Sequence, residues 1–203
     1  MTLDKAVIAR DQSQKVFSQS FEEFSGRMVP PRLARGSNML KQYGSVLGRI
    51  EQTYGVPGEV LVAIWGLETD YGVNIGKFPT MRALATLAYD CRRSEMFKAE
   101  LLDALRIVER GDMAPQDMRG AWAGEIGQTQ FMPKSILAYG TGNLENAGNA
   151  LMSTANFLKA HGWRAGAGYQ PGEPNFAAIQ AWNAAGVYQK AIALMGRQID
   201  GGE

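Results

Sequence analysis

Two carboxylates stand close together in Ala63-Ile64-Trp65-Gly66-Leu67-Glu68-Thr69-Asp70-Tyr71-Gly72, and only one of them is placed for acid chemistry. At helical spacing Leu61, Ile64, Trp65 and Glu68 fall on one face. A carboxyl group on an apolar stripe beside a tryptophan is partly desolvated, which disfavours its charged form and raises its pKa. A general acid working near neutral pH has that property. Spacing alone leaves a second reading open, in which Glu68 marks the point where an apolar helix reaches solvent. Asp70 cannot face the same bond as Glu68 while both are helical, because two positions turn a helix by roughly 200°. It is expected to cap or brace the following loop.

A second stretch is suited to binding. Gly120-Ala121-Trp122-Ala123-Gly124-Glu125-Ile126-Gly127-Gln128-Thr129-Gln130-Phe131-Met132-Pro133 is neither a good helix nor an alternating strand. Its glycines permit close approach, Trp122 and Phe131 offer apolar faces, and Gln128, Thr129 and Gln130 offer neutral donors and acceptors. Carbohydrate suits this mixture, having apolar ring faces and hydroxyl edges. A tight glycine-rich turn with buried aromatics fits the same composition. Glu125 is a rival carboxylate, but it lies among glycines with no apolar stripe to shift its pKa. Arg92 and Arg93 are suited either to an acidic substrate group or to the C-terminal end of the preceding helix.

The elements that must position these groups are mostly helices. Val16, Phe17, Phe21 and Phe24 suggest a short amphipathic helix within residues 4–27. Pro31 opens another, with Leu33, Met39, Leu40, Tyr43, Leu47 and Ile50 on its apolar side and a stop at Tyr54-Gly55. Pro57 starts the helix that carries Glu68. A loop over 72–79 follows, then a helix capped by Thr80 and a longer one capped by Ser94, with Phe97, Leu101, Leu105 and Val108 as its stripe. Further helices are expected from Pro133 to Gly140, through Leu151, Ala155 and Leu158 to His161, over Phe176 to Asn183, and over Val187 to Met195 with a hinge at Gly186. Residues 164–174 read as a loop.

Composition sets the outer limits. With 203 residues and 45% hydrophobic content the chain can bury a substantial core. Lys and Arg number 21 against 20 Asp and Glu, so the net charge of +1 gives no reason to expect nucleic acid as a partner. One cysteine, Cys91, excludes an internal disulfide and reads as a buried thiol. A single histidine, His161, reads as a helix-end residue and makes a zinc site improbable. No signal peptide and no transmembrane stretch are visible, so the chain is expected to be soluble as given. Phosphate-loop, dinucleotide and calcium-loop spacings are not found, and no cofactor is expected.

Four ordered motifs carry a resemblance over nearly the whole chain. Trp65-Gly66-Leu67-Glu68-Thr69, Cys91-Arg92-Arg93, the segment from Gly120 to Pro133, and Asn156-Phe157-Leu158-Lys159-Ala160-His161-Gly162-Trp163 resemble the membrane-bound lytic murein transglycosylase B family, glycoside hydrolase family 103. The resemblance implies a mainly α, lysozyme-like helical catalytic core with an N-terminal helical extension. The divisions expected are 1–30 for the extension, 31–165 for the core and 166–203 for C-terminal helices completing the groove. It implies cleavage of the β-1,4 bond between N-acetylmuramic acid and N-acetylglucosamine in peptidoglycan, leaving a 1,6-anhydromuramyl end, by a monomer in the periplasm. Glu68 matches the catalytic glutamate. Gln130, Phe131 and Met132 match residues of the glycan groove, Arg92 and Arg93 match arginines near substrate, and Asn183 matches an asparagine of a C-terminal motif. Trp122 and Tyr71 are added as candidate substrate contacts. Ala121 stands where some relatives have serine, and residues 140–146 lack the carboxylates of a calcium loop, so calcium is not expected. The chain resembles a mature or trimmed form of longer relatives.

Overall fold

The computed structural model describes residues 3–13 and 19–201. Helices dominate it: α1 Lys5–Gln12, α2 Phe21–Met28, α3 Pro30–Gln42, α4 Gly44–Tyr54, α5 Gly58–Thr69, α6 Thr80–Tyr89, α7 Ser94–Glu109, α8 Pro133–Tyr139, α9 Ala147–Ala160, α10 Phe176–Trp182 and α11 Gly186–Ile199. Two short strands, β1 Phe78–Pro79 and β2 Arg119–Gly120, pair antiparallel with Phe78 opposite Gly120. None of the described helices is long and apolar enough to cross a membrane.

Two apolar cores divide the molecule. The larger surrounds α5, on which α3, α4, α9 and α11 pack. Every residue of α5 except Glu59 and Glu68 is buried, so this helix is the hub of the fold and not a surface helix with one inward face. The smaller core joins α6, α7 and α1 through Leu84, Leu87, Phe97, Ile107 and Val7. Residues 120–132 run between the two, giving Ile126 to the smaller core and Phe131 to the larger. The cleft described below lies along this seam.

Several local expectations differ from the structure. The N-terminal amphipathic segment contains two helices, α1 and α2, and Val16 and Phe17 lie outside the described residues. The helix expected from Pro31 to Tyr54 is broken into α3 and α4 at Tyr43, which leaves the helical conformation at ψ 9° while the apolar period runs on across the junction and hides the break. Thr80 does not cap α6. Pro79 takes that position, and the Thr80 hydroxyl is buried without a hydrogen-bond partner among the described residues. The Ser94 hydroxyl donates back to Ala88 O at 2.7 Å, and Leu105 is half exposed where the stripe placed it inward. Cys91 is exposed, because it follows the end of α6 instead of continuing its apolar face. His161 caps α9 as expected, its Nδ1 2.7 Å from Phe157 O.

Candidate active site

α5 delivers Glu68 in its final turn, where the negative end of the helix dipole disfavours a negative charge. The end of this helix is fixed from two sides. On one side Arg32 Nε donates to Gly66 O at 2.9 Å and lies 3.7 Å from Asp70 Oδ1, while its Nη1 donates to Met28 O at 2.7 Å. Asp70 adopts φ 54° as the left-handed cap, which fits the bracing role expected of it. Tyr71 follows with φ 58° and folds its ring back over Gly66, where an added Cβ would lie 2.7 Å from the ring. Its hydroxyl donates to Arg32 O at 2.8 Å.

On the other side stands the 127–132 loop. Trp65 Nε1 donates to Gln128 Oε1 at 2.8 Å, Thr69 Oγ1 to Gln128 O at 2.6 Å, and Gln128 Nε2 to Glu145 O at 2.9 Å. Gln130 holds φ 57° and donates from Nε2 to Gly127 O at 2.8 Å and Ile75 O at 3.2 Å. Such a backbone in a residue other than glycine persists only where its surroundings hold it.

Beside Glu68 and Gln130 lies a cavity of about 380 Å³. Glu68, Glu125, Gln130, Ser135 and Asn183 supply its polar surface. Phe131, Met132, Phe157 and Trp182 supply apolar faces, and Ala121 completes the lining. Trp182 Nε1 donates to Glu68 Oε1 at 2.9 Å. Burial pushes the Glu68 carboxyl up to about 7, opposed by that indole bond and the Tyr188 hydroxyl and assisted by the nearby charge of Glu125. The buried Tyr188 hydroxyl is near enough to influence this carboxyl, yet its geometry completes no hydrogen bond among the described residues.

The structure therefore brings Glu68, Gln130, Phe131, Met132 and Asn183 to one cavity and leaves four expected contacts out of it. Arg92 and Arg93 both turn to Asp11 of α1, which is 2% exposed and takes one arginine on each carboxylate oxygen. A buried carboxylate requires such partners, so these cations are committed to docking α1. Tyr71 is buried behind α5. Trp122 lines a neighbouring cavity with Arg10 and Lys77, joined to the first at Ala121.

Three lining residues escaped sequence reasoning: Trp182, Phe157 and Ser135. Trp182 directly precedes Asn183, and that adjacency was the available signal. Glu125 also requires correction. Its carboxyl is pushed up by burial, against bonds from backbone N–H groups and the positive charge of Arg93. No apolar stripe is needed, because the 120–131 turn folds back on it, with Ala121 N donating to Glu125 O at 3.1 Å and Gly120 packed against that oxygen.

A mainly helical fold with a desolvated glutamic acid beside a mixed polar and aromatic cleft is the arrangement of a lysozyme-like domain. The chain belongs to the transglycosylase SLT domain family, which it matches over residues 1–172. It is 38% identical over 163 residues to membrane-bound lytic murein transglycosylase B of Escherichia coli, covering 73% of this chain and spanning 45% of that protein's length. Among solved structures it resembles SltB3 of Pseudomonas aeruginosa in complex with NAG-anhNAM-pentapeptide, with TM-score 0.91 and 30% identity, over 100% of this chain and 72% of that one. It also resembles the Escherichia coli lytic transglycosylase Slt35 in complex with bulgecin A, with TM-score 0.85 and 26% identity, over 97% and 83%.

Proposed function

We propose that the protein is a lytic murein transglycosylase. It cleaves the β-1,4 bond between N-acetylmuramic acid and N-acetylglucosamine in peptidoglycan and leaves a 1,6-anhydromuramyl end, acting outside the cytoplasmic membrane where that polymer lies. The observation that carries the reading is the Glu68 carboxyl, pushed up to about 7 and facing a cleft that mixes aromatic faces with neutral amides. Near neutral pH a large fraction of it holds a proton to give.

In the first step Glu68 donates its proton to the glycosidic oxygen as the C–O bond breaks. The substrate's own N-acetyl oxygen bonds to the anomeric carbon, so no protein nucleophile is needed. In the second step the C6 hydroxyl attacks that carbon, its proton returns to Glu68, and the N-acetyl oxygen leaves. Attack from within the same sugar has a large effective concentration, provided the cleft holds the ring in the reactive shape. Gln130 and Asn183 supply hydrogen bonds at its wall and Phe131, Phe157 and Trp182 supply the apolar faces.

A hydrolytic muramidase is the second reading, favoured by one observation: Glu125 gives the cavity a second carboxyl group, as water-using glycosidases have. Mass spectrometry of products from purified sacculi separates the two, since an anhydro end is lighter than a reducing end by one water. Glu68→Gln is expected to abolish turnover while sacculus binding persists. A variant cleaving at near wild-type rate would sink the assignment.

A further inference from the structure

The two-step chemistry leaves one charge without a protein partner. When the N-acetyl oxygen bonds to the anomeric carbon, positive charge develops on the ring that forms, and its N–H becomes a strong hydrogen-bond donor. Catalysis gains most from groups placed where charge appears in the transition state.

Glu125 is built into the cavity for such a role. Its backbone is fixed, because Ala121 N donates to Glu125 O at 3.1 Å and Gly120 packs so closely that an added Cβ would fall 1.7 Å from that oxygen. Ala123 N donates to Oε2 at 3.2 Å, which orients the carboxyl, and the residue stays partly open on the cavity it shares with Glu68. The groups that act on it are Arg93 from the turn before α7, Glu100 from α7, and its own and the Ala123 backbone N–H. Glu68 of α5 feels its charge across the cavity. Arg93 is held in place by Asp11, so α1 is tied to this carboxylate through the arginine.

We propose that Glu125 is a second catalytic residue, which as a carboxylate accepts the N–H of the substrate's N-acetyl group and stabilises the positive charge formed in the first step. The proposal rests on the transglycosylase reading above. No extra reactant enters: Glu68 supplies and recovers the proton, the glycosidic C–O bond is exchanged for the N-acetyl C–O bond, and that for the C6 ether. Glu125 takes part by hydrogen bond and charge alone. It must be ionised while Glu68 is protonated, so the rate rises with pH as Glu125 loses its proton and falls as Glu68 loses its own. Its elevation by burial places that acid limb above the ordinary glutamate range.

The test is a pH profile on soluble glycan strands for wild type, Glu125→Gln and Glu125→Asp. Glutamine keeps the size and an acceptor for Ala123 N–H but carries no charge. The expected result for Glu125→Gln is a kcat loss of roughly tenfold to a hundredfold with KM little changed, the cost of one hydrogen bond to a charged group. Its acid limb should vanish, its product should remain the anhydro end, and aspartate should restore part of the rate. A kcat within twofold of wild type, or a loss with the acid limb intact and no rescue by aspartate, overturns the proposal. So does a reducing-end product from wild type that Glu125→Gln specifically removes, which would make Glu125 a base for water. A wild type with no glycan cleavage overturns the functional reading itself. Melting temperatures of both variants separate loss of fold from loss of chemistry.

Discussion

Trp182 Nε1 donates a 2.9 Å hydrogen bond to Glu68 Oε1 across 114 positions of chain. It favours the ionised carboxyl, the state reached once the proton has been given away. Trp182→Phe should therefore raise the Glu68 pKa above about 7 and move the basic limb of the rate profile to higher pH. Its maximal kcat should fall about tenfold, the lower end for a hydrogen bond to a charged group. Steady-state kinetics from pH 5 to 9 check both signs.

Glu68 also makes stability depend on pH. Its folded pKa, about 7, lies above its ordinary value of 4.5, so the folded protein binds more protons between them. The stability it contributes is complete below about 4.5 and is lost as pH rises to about 7 and beyond. Glu68→Gln should thus match wild type in melting temperature near pH 4.5 and exceed it at pH 8. The gain is at most about 3–4 kcal/mol, since each pKa unit is worth about 1.4. Calorimetry at the two pH values tests it.

Tyr188 keeps a buried hydroxyl beside Glu68 without a completed hydrogen bond among the described residues. In the resting state that hydroxyl gains little, but it can donate to the carboxylate that the proposed first step forms. Tyr188→Phe should leave the melting temperature equal or higher, because an unsatisfied buried group is removed. Its kcat should fall severalfold with KM unchanged. A loss of stability in this variant would show that the hydroxyl is bonded in the resting enzyme.

Asp11 fastens α1 to the turn between α6 and α7 through Arg92 and Arg93. Asp11→Ala leaves two arginines that are 52% and 40% exposed and can turn to water. The cost should therefore be about 1–3 kcal/mol, below that of a pair buried on both sides. Faster proteolysis within α1 and a lower melting temperature are the expected readouts.

Glycines and prolines made the helix limits legible where they act locally: Pro133 opens α8, Gly55 stops α4 in a left-handed conformation, and Gly186 begins α11. Glu68 itself was marked out in the sequence too, although its setting differs from the one expected. Glu68 lies not on the one inward face of an amphipathic helix but at one of two unburied positions of a helix enclosed on all sides. Sequence periodicity reports which residues turn inward, never which inward surfaces meet. So the chain by itself determined the helical class and the place of Glu68 near the end of α5, and its motifs pointed to Gln130, Phe131 and Met132, which line the cavity beside Glu68. Only the tertiary structure set Trp182 against Glu68, enclosed Glu125 within the same cavity, and spent Arg92 and Arg93 on Asp11. Desolvation and ion pairing are properties of the space around a group, and at Glu68 part of that space is filled by a residue more than a hundred positions away.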